Sequence, residues 1–202
     1  MKKTKETFTD PRDGRVYKTV KIGEQIWLAE NLAFDAPSSK FYKNDESNGE
    51  IYGRLYNWET AMTVSPPGWH LPSNEEWDIL YRYADGKSGT ESPYMSKTAG
   101  KHLKAASGWN VSEKGHSGNG TDDLGFTALP GGYGYRGGTF DDIGNYAHWW
   151  STSERSRCFA YYRGLDYEDD EAYWDIYRKY YFFSVRCIKD DTPKKQGGQN
   201  DR

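Results

Sequence analysis

The chain has 202 residues, with 27 Lys and Arg against 30 Asp and Glu for a formal net charge of −3. That length suits one well-buried domain and is short for two, and the near balance of charge excludes a global basic field for nucleic acid or an anionic membrane. Eight Trp and 17 Tyr point to an irregular domain with a core of rings; a doubly wound sheet needs Val- and Ile-rich runs, and disordered chains are poor in aromatics. No apolar run approaches ~18 residues, so no membrane span is expected. The start, MKKTKETFTD, has the Lys residues of a secretory head with no apolar stretch behind them. Two cysteines allow one disulfide at most and leave the redox compartment open.

In chain order, residues 1–10 read as a flexible arm, and Pro11, Asp13 and Gly14 mark a turn. Val16, Thr19, Val20, Ile22, Ile26, Trp27 and Leu28 flank Gly23-Glu24, which predicts a β-hairpin. Phe34 to Glu50 reads as a polar loop with little structure of its own. GRLYNWETAM then sets Leu55, Trp58 and Met62 at helical spacing, stopped by Ser65-Pro66-Pro67-Gly68. Ser73-Asn74-Glu75-Glu76 is a capping box, with the Ser73 hydroxyl free to accept from one orphan amide and Glu76 able to reach back to another. Trp77, Leu80, Tyr81 and Ala84 repeat at i, i+3, i+4 and i+7, a helix with one buried face. Gly86 and Gly89 end it, and after a loop through Pro93 the segment AGKHLKAA predicts a short third helix. A turn-rich loop from Asn119 to Asp123 leads into GFTALPGG, and the tail from Pro193 reads as linker or disorder. The organisation is thus an arm at 1–10, one domain at 11–190 and a tail at 191–202, with no solenoid repeat.

From Leu129 to Cys187 the vocabulary changes to Tyr, Arg, Asp and Gly without helical spacing. Tyr rings supply contact area at low entropic cost, and hydroxyl and guanidinium groups supply adaptable hydrogen bonds, so this half reads as a contact surface carried by the first half. A hairpin, two main helices and an irregular aromatic β region describe an α+β domain.

Several strings carry a resemblance: DPRDGRVYKTVKIGEQIWLAENL, YGRLYNWETAM, PPGWHLPSNEEWDIL, AGKHLKAASGWN, NGTDDLGFTALPGGY, HWWSTSE and FSVRC. Together, over roughly residues 10 to 190, the chain resembles the Fibrobacter succinogenes major paralogous domain, which is similar to C-type-lectin-like proteins and to the formylglycine-generating-enzyme fold. The resemblance implies a C-type-lectin-like fold, with an N-terminal hairpin, two main helices and a small antiparallel sheet bearing the C-terminal binding face. Two departures stand out. The family often has Cys before its P-x-GWHLP string; here it is Ser65, so a disulfide from that position to Cys187 is unavailable. Tyr180 and Phe182 replace a small residue and a Gly before FSVRC, which crowds or rebuilds that edge. Trp149 and Trp150 alternate on a strand, which puts one in the core and leaves the other to line the surface, and Phe183, Val185 and Cys187 alternate along the last strand.

The resemblance implies a sharper idea as well. Some proteins of this fold are variable proteins of diversity-generating retroelements, in which adenines of the C-terminal coding region are randomised. Asn codons so treated reach Tyr, Asp, Arg, Gly, Ser, Cys, Phe and Ile but not Lys, Glu, Gln, Met or Trp. Arg155 to Phe159, Tyr162, Gly164, Asp166, Tyr167, Asp169, Asp170, Tyr173, Asp175 to Arg178, Tyr180 and Tyr181 are all reachable; Glu154, Glu171, Trp174 and Lys179 would be framework.

Each cluster of reactive residue types also has a plainer reading. The four His (70, 102, 116, 148) show no H-x-x-x-H pair, so no metal site is assigned. Asn119, Asp122 and Asp123 crowd oxygens into a Gly-rich loop, but Asx-turn chemistry is favoured over Ca²⁺. The acidic run Asp166, Glu168, Asp169, Asp170 and Glu171 lacks the lectin signatures E-P-N and W-N-D and reads as a solvated loop or a contact for a basic partner. Cys158 and Cys187, the only pair available to a copper oxidase of the formylglycine type, read as two reduced thiols, Cys187 buried. G-x-S-x-G, a P-loop and G-x-G-x-x-G opening a helix are absent. Tyr177, Arg178, Lys179 and Tyr180 interleave rings and cations, but the acidic neighbours and net charge weigh against nucleic acid.

The function expected is a non-enzymatic ligand-binding module with no cofactor, for a protein or glycan ligand. The face is built from Tyr133, Tyr135, Arg136, Trp149, Arg155, Arg157, Tyr162, Asp166, Tyr167, Tyr173, Trp174, Asp175, Tyr177, Arg178 and Tyr180. The alternatives are an oxidase using Cys158 and Cys187 and a structural or adhesion domain. The compartment expected is secreted or cell-surface, with cytoplasm as the alternative; oligomeric state stays open.

Overall fold

Turn chemistry and alternation build the first strands. The structure, a computed structural model, describes residues 6–86 and 95–191. β1 (Glu6–Thr9) runs antiparallel to β2 (Val16–Ile22), which returns as β3 (Gln25–Leu28) through Gly23 and Glu24, as the sequence predicts. Gly23 sits at φ 60°, open to glycine without a Cβ penalty. β1 corrects the expected arm: residues 6–9 pair from Glu6↔Thr19 to Thr9↔Val16. Residues 1–5 and most of the expected tail, 192–202, lie outside the described residues.

The expected loop at 34–50 instead holds a single 3-10 turn (Tyr42–Asn44) and α1 (Glu46–Tyr52), started by the Asp45 carboxylate accepting from Ser47 N–H. The expected helix from Gly53 is split. Leu55 and Tyr56 form β4 (Leu55–Tyr56), and only α2 (Trp58–Ala61) is helical, capped by Asn57 onto Thr60 N–H. The period was misleading because Leu55 and Tyr56 pair with Ser184 and Phe183, a tertiary partner 3.6-residue spacing cannot reveal. β5 (Trp69–His70) delivers the chain to α3 (Asn74–Ala84), where both halves of the predicted capping box form. Gly86 follows α3, while Gly89 and Pro93 lie outside the described residues.

After β6 (Met95–Ser96) and α4 (Ala99–Leu103) come β7 (Gly131–Gly134), β8 (Phe140–Ile143), β9 (Tyr146–Ser156), β10 (Phe159–Asp166), β11 (Ala172–Arg178), β12 (Phe183–Ser184) and β13 (Ile188–Lys189). One sheet runs β1-β2-β3-β13-β5; the other runs β4-β12-β9-β10-β11-β6, with β7 beside β9 and β8 on β7. Among the described residues, four α-helices and two sheets make this an α+β domain.

Alternation along β9 splits the core in two. Ala147 and Trp149 enter a cluster with Trp27, Trp77, Leu80, Tyr81 and Phe126, so the buried face of α3 packs on this side. Trp150 enters the other, with Tyr17, Tyr56, Trp58, Tyr162, Phe183, Val185 and Cys187. Both Trp are therefore core, which corrects the expectation that one lines the surface. Trp149 donates its indole N–H to Asn31 Oδ1 at 2.8 Å, and the same oxygen accepts from buried Arg186 at 2.9 and 3.1 Å. Phe183, Val185 and Cys187, spaced two apart, all sit in the second of these clusters. The edge with Phe182 is rebuilt: Phe182 and Gly134 exchange two 2.9 Å backbone bonds, and the Phe182 ring joins Tyr42 and Leu55 in a third cluster.

Candidate functional site

Three strands of the larger sheet converge on His148. In register, His148 of β9 faces Gly164 of β10, which faces Tyr173 of β11. A Cβ at Gly164 would collide with the Tyr173 ring. The missing side chain lets that ring lie across β10, so its hydroxyl meets His148 Nε2 at 2.9 Å. One row along, Tyr162 stands between Trp150 and Asp175, its ring 4.8 Å from the imidazole. Phe183 of β12 forms the floor, 4.4 Å from Trp150, 5.0 Å from Tyr162 and 5.1 Å from His148. Tyr133 from β7 and Tyr146 from β9 approach the imidazole to 5.3 and 5.4 Å. With Tyr177 and Asp142 they line a cleft of about 210 Å³.

The electrostatics of the cleft follow from burial. His148 is pulled down to about 3 by desolvation, and its Nδ1 has no protein partner. Burial pushes the phenols of Tyr162 and Tyr173 up; for Tyr133 burial is joined by hydrogen bonding to Tyr135 and by the nearby Asp142 carboxylate. At neutral pH the imidazole and the phenols of the lining are thus uncharged. Asp142 sits at φ 66°, a backbone state that Asp adopts more readily than most residues.

Of the residues singled out from sequence, Tyr133, Tyr162, Tyr173 and Tyr177 meet in this cleft. Tyr135 joins the rim: its hydroxyl lies 3.3 Å from that of Tyr133, and its ring packs on Tyr181, which packs on Tyr177. Arg136 and Arg178 flank the exposed Tyr180 ring at 6.0 and 5.9 Å, a neighbouring patch. Asp175 is exposed beside Tyr162, its carboxylate accepting from Ile176 N–H. The rest do not converge there. Trp149 is core, a correction whose cause is the packing of both faces of β9. Trp174 alternates away from Tyr173 and meets Tyr161 at 5.3 Å. Arg155 lies in the exposed end of β9 and Arg157 in the turn to β10. Asp166 caps the loop after β10, accepting from Glu168 and Asp169 N–H, and Tyr167 leans on Tyr146 at 6.5 Å. Sequence reasoning missed Asp142, Tyr146, His148 and Phe183. The alternation Tyr146, His148, Trp150 in one strand could have pointed to Tyr146 and His148; nothing in the sequence marks Asp142 or Phe183.

The other candidate clusters are absorbed by the fold. Asn119 Oδ1 accepts from Trp109 N–H, Asp122 accepts from Thr127 N–H and hydroxyl, and Asp123 accepts from the Thr121 hydroxyl and pairs with His102 at 2.8 Å. The acidic run folds over Lys104, whose buried ammonium donates to the carbonyls of Asp166 and Asp169. Lys179, read as an interleaved cation, is buried with its ammonium 2.6 Å from Glu154 and 3.9 Å from the Trp58 ring centre. Both thiols are free: Cys158 is exposed in the β9–β10 turn, while Cys187 is buried 3.5 Å from Ser65 Oγ and pushed up to about 12 by burial. Among the described residues no group of three His, Cys, Asp or Glu is arranged to hold a metal ion, and no helix is long and apolar enough to cross a membrane.

Fold and cleft together define an α+β domain with a ring-walled recess on the C-terminal half of its larger sheet. The Fibrobacter succinogenes major domain matches residues 20–189, and the chain belongs to that family. No curated protein and no solved structure matches the chain.

Proposed function

We propose that this domain is a non-enzymatic binding module with a C-type-lectin-like fold, and that its ligand, a protein or glycan, docks on the Tyr-rich face centred on the His148 cleft. The observation that carries this reading is the convergence of Tyr133, Tyr162, Tyr173 and Tyr177, from three separate strands, around one recess. Tyr162 is buried and the other three rings are half-buried, so the recess offers contact area already ordered before binding. The chemistry of the cleft favours holding over transforming. A base poised near neutral pH serves proton transfer best, whereas His148 is held far below that range and the phenols above it. The two thiols, one buried and one in an exposed turn, argue against the oxidase alternative.

Diversification by a retroelement is part of this proposal. Tyr162, Tyr173 and Tyr177, at adenine-reachable positions, wall the cleft, while the unreachable Glu154 and Lys179 pair with each other and brace β11 on Trp58. Such a division would let the walls vary on a fixed frame.

Two measurements test the proposal. A glycan array and a displayed peptide library should each be probed with the domain and with Tyr177→Ala, and binding that survives the substitution unchanged would remove the cleft from the reading. For diversification, the neighbouring DNA should hold a near-copy of the C-terminal coding region differing at adenines, beside a reverse transcriptase; its absence would leave an undiversified binder.

A further inference from the structure

The binding reading above says where a ligand sits, and the inference here rests on it and names the chemistry. We propose that the His148 cleft is an aromatic cage for a quaternary ammonium group, seated against the faces of Tyr133, Tyr146, Tyr173 and Tyr177 and held by the Asp142 carboxylate.

Three observations point this way. The lining is made of rings and one carboxylate, and no Lys or Arg is among the described residues that form it. The electron-rich face of an aromatic ring attracts a cation within about 6 Å of its centre, and several rings around one recess add their fields. Quaternary ammonium suits such a site because it is weakly hydrated and needs no hydrogen-bond acceptor for each face. Second, the imidazole at the centre stays neutral, so nothing in the lining repels positive charge; burial holds it so down to about 3. Third, two of the hydroxyls that a sugar would need are already engaged: that of Tyr173 with His148 at 2.9 Å, and that of Tyr133 with Tyr135 at 3.3 Å. At about 210 Å³ the recess also falls below the about 300–1,000 Å³ of sites for drug-sized ligands. It suits a headgroup better than a saccharide chain.

Choline and its uncharged isostere 3,3-dimethyl-1-butanol separate cation recognition from shape. Isothermal titration of the domain should show choline binding at least tenfold tighter than the isostere, a gap of about 1.4 kcal/mol. Asp142→Asn, which keeps a residue that tolerates the φ of 66°, should weaken choline several-fold and leave the isostere unchanged. Phosphocholine tells the two sources of the group apart: weaker binding than choline assigns a free ammonium compound, and equal or tighter binding assigns a phosphorylated headgroup, either being consistent with the cage. Equal affinity for choline and the isostere, or no binding of either, overturns the inference. If that happens while an array ligand is still lost with Tyr177→Ala, the cation is wrong and the binding face stands.

Discussion

His148 and His70 are both histidines with hydrogen-bonding partners, yet the structure drives them in opposite directions. Burial pulls His148 from its ordinary 6.5 to about 3. Between those values the unfolded chain binds a proton that the folded chain does not, so this residue costs stability as pH falls below 6.5, about 1.4 kcal/mol per pH unit. At His70 burial also pulls down, but hydrogen bonds at 2.6 Å to Asp190 and 2.7 Å to Glu76 outweigh it, and its value is raised. Its contribution is complete below 6.5 and fades as pH rises through the raised folded value; with more than a third of the side chain exposed it is small. Of the two histidines, His148 is therefore the one that costs stability in acid. Urea unfolding of His148→Gln, which keeps a partner for Tyr173, should show a stability–pH slope between pH 6 and 4 shallower than the parent by about 1 kcal/mol per unit. Equal slopes would mean that the imidazole titrates normally.

At the scale of the elements, the loop before β5 and the chain entering β13 approach each other at Ser65 and Cys187, 122 residues apart in sequence. The 3.5 Å contact between the Ser65 hydroxyl and the Cys187 thiol shows the two positions meeting. Ser65→Cys should form a disulfide with Cys187 under oxidising conditions and stabilise by about 2–4 kcal/mol, a gain that a reductant reverses in a thermal melt. β10 and β11 carry a second test. Gly164→Ala forces its methyl into the Tyr173 ring and should cost about 1–3 kcal/mol. In a Tyr173→Ala background the same change should cost little, and a double-mutant cycle without coupling would place the ring elsewhere.

These elements differ in how far sequence exposes them. The hairpin at Gly23-Glu24 and the capped α3 are local devices, so their residues announce them. α1 does not: its segment ESNGEIY is polar and contains Gly49, and its helix starts from the Asp45 cap. β4 is two residues defined by a partner far along the chain. The cleft divides in the same way. Its Tyr walls are visible as composition, whereas the centre depends on which face of β9 His148 takes and on Gly164 leaving a gap, facts of register rather than of residue type.

For the whole molecule, the decisive feature is that β13 lies between β3 and β5, bonded to both through Ile188. The first sheet thus takes an interior strand, the one that joins β3 to β5, from the end of the domain, and the long-range pairing that follows is of the kind that slows folding. A chain ending at residue 187 should lack cooperative unfolding and the near-ultraviolet circular dichroism of packed Trp; retention of both would make β13 dispensable. On a ribosome, β3 and β5 emerge long before the strand that joins them. The nascent hairpin therefore waits, its sheet unfinished, until nearly the entire message for the domain has been read.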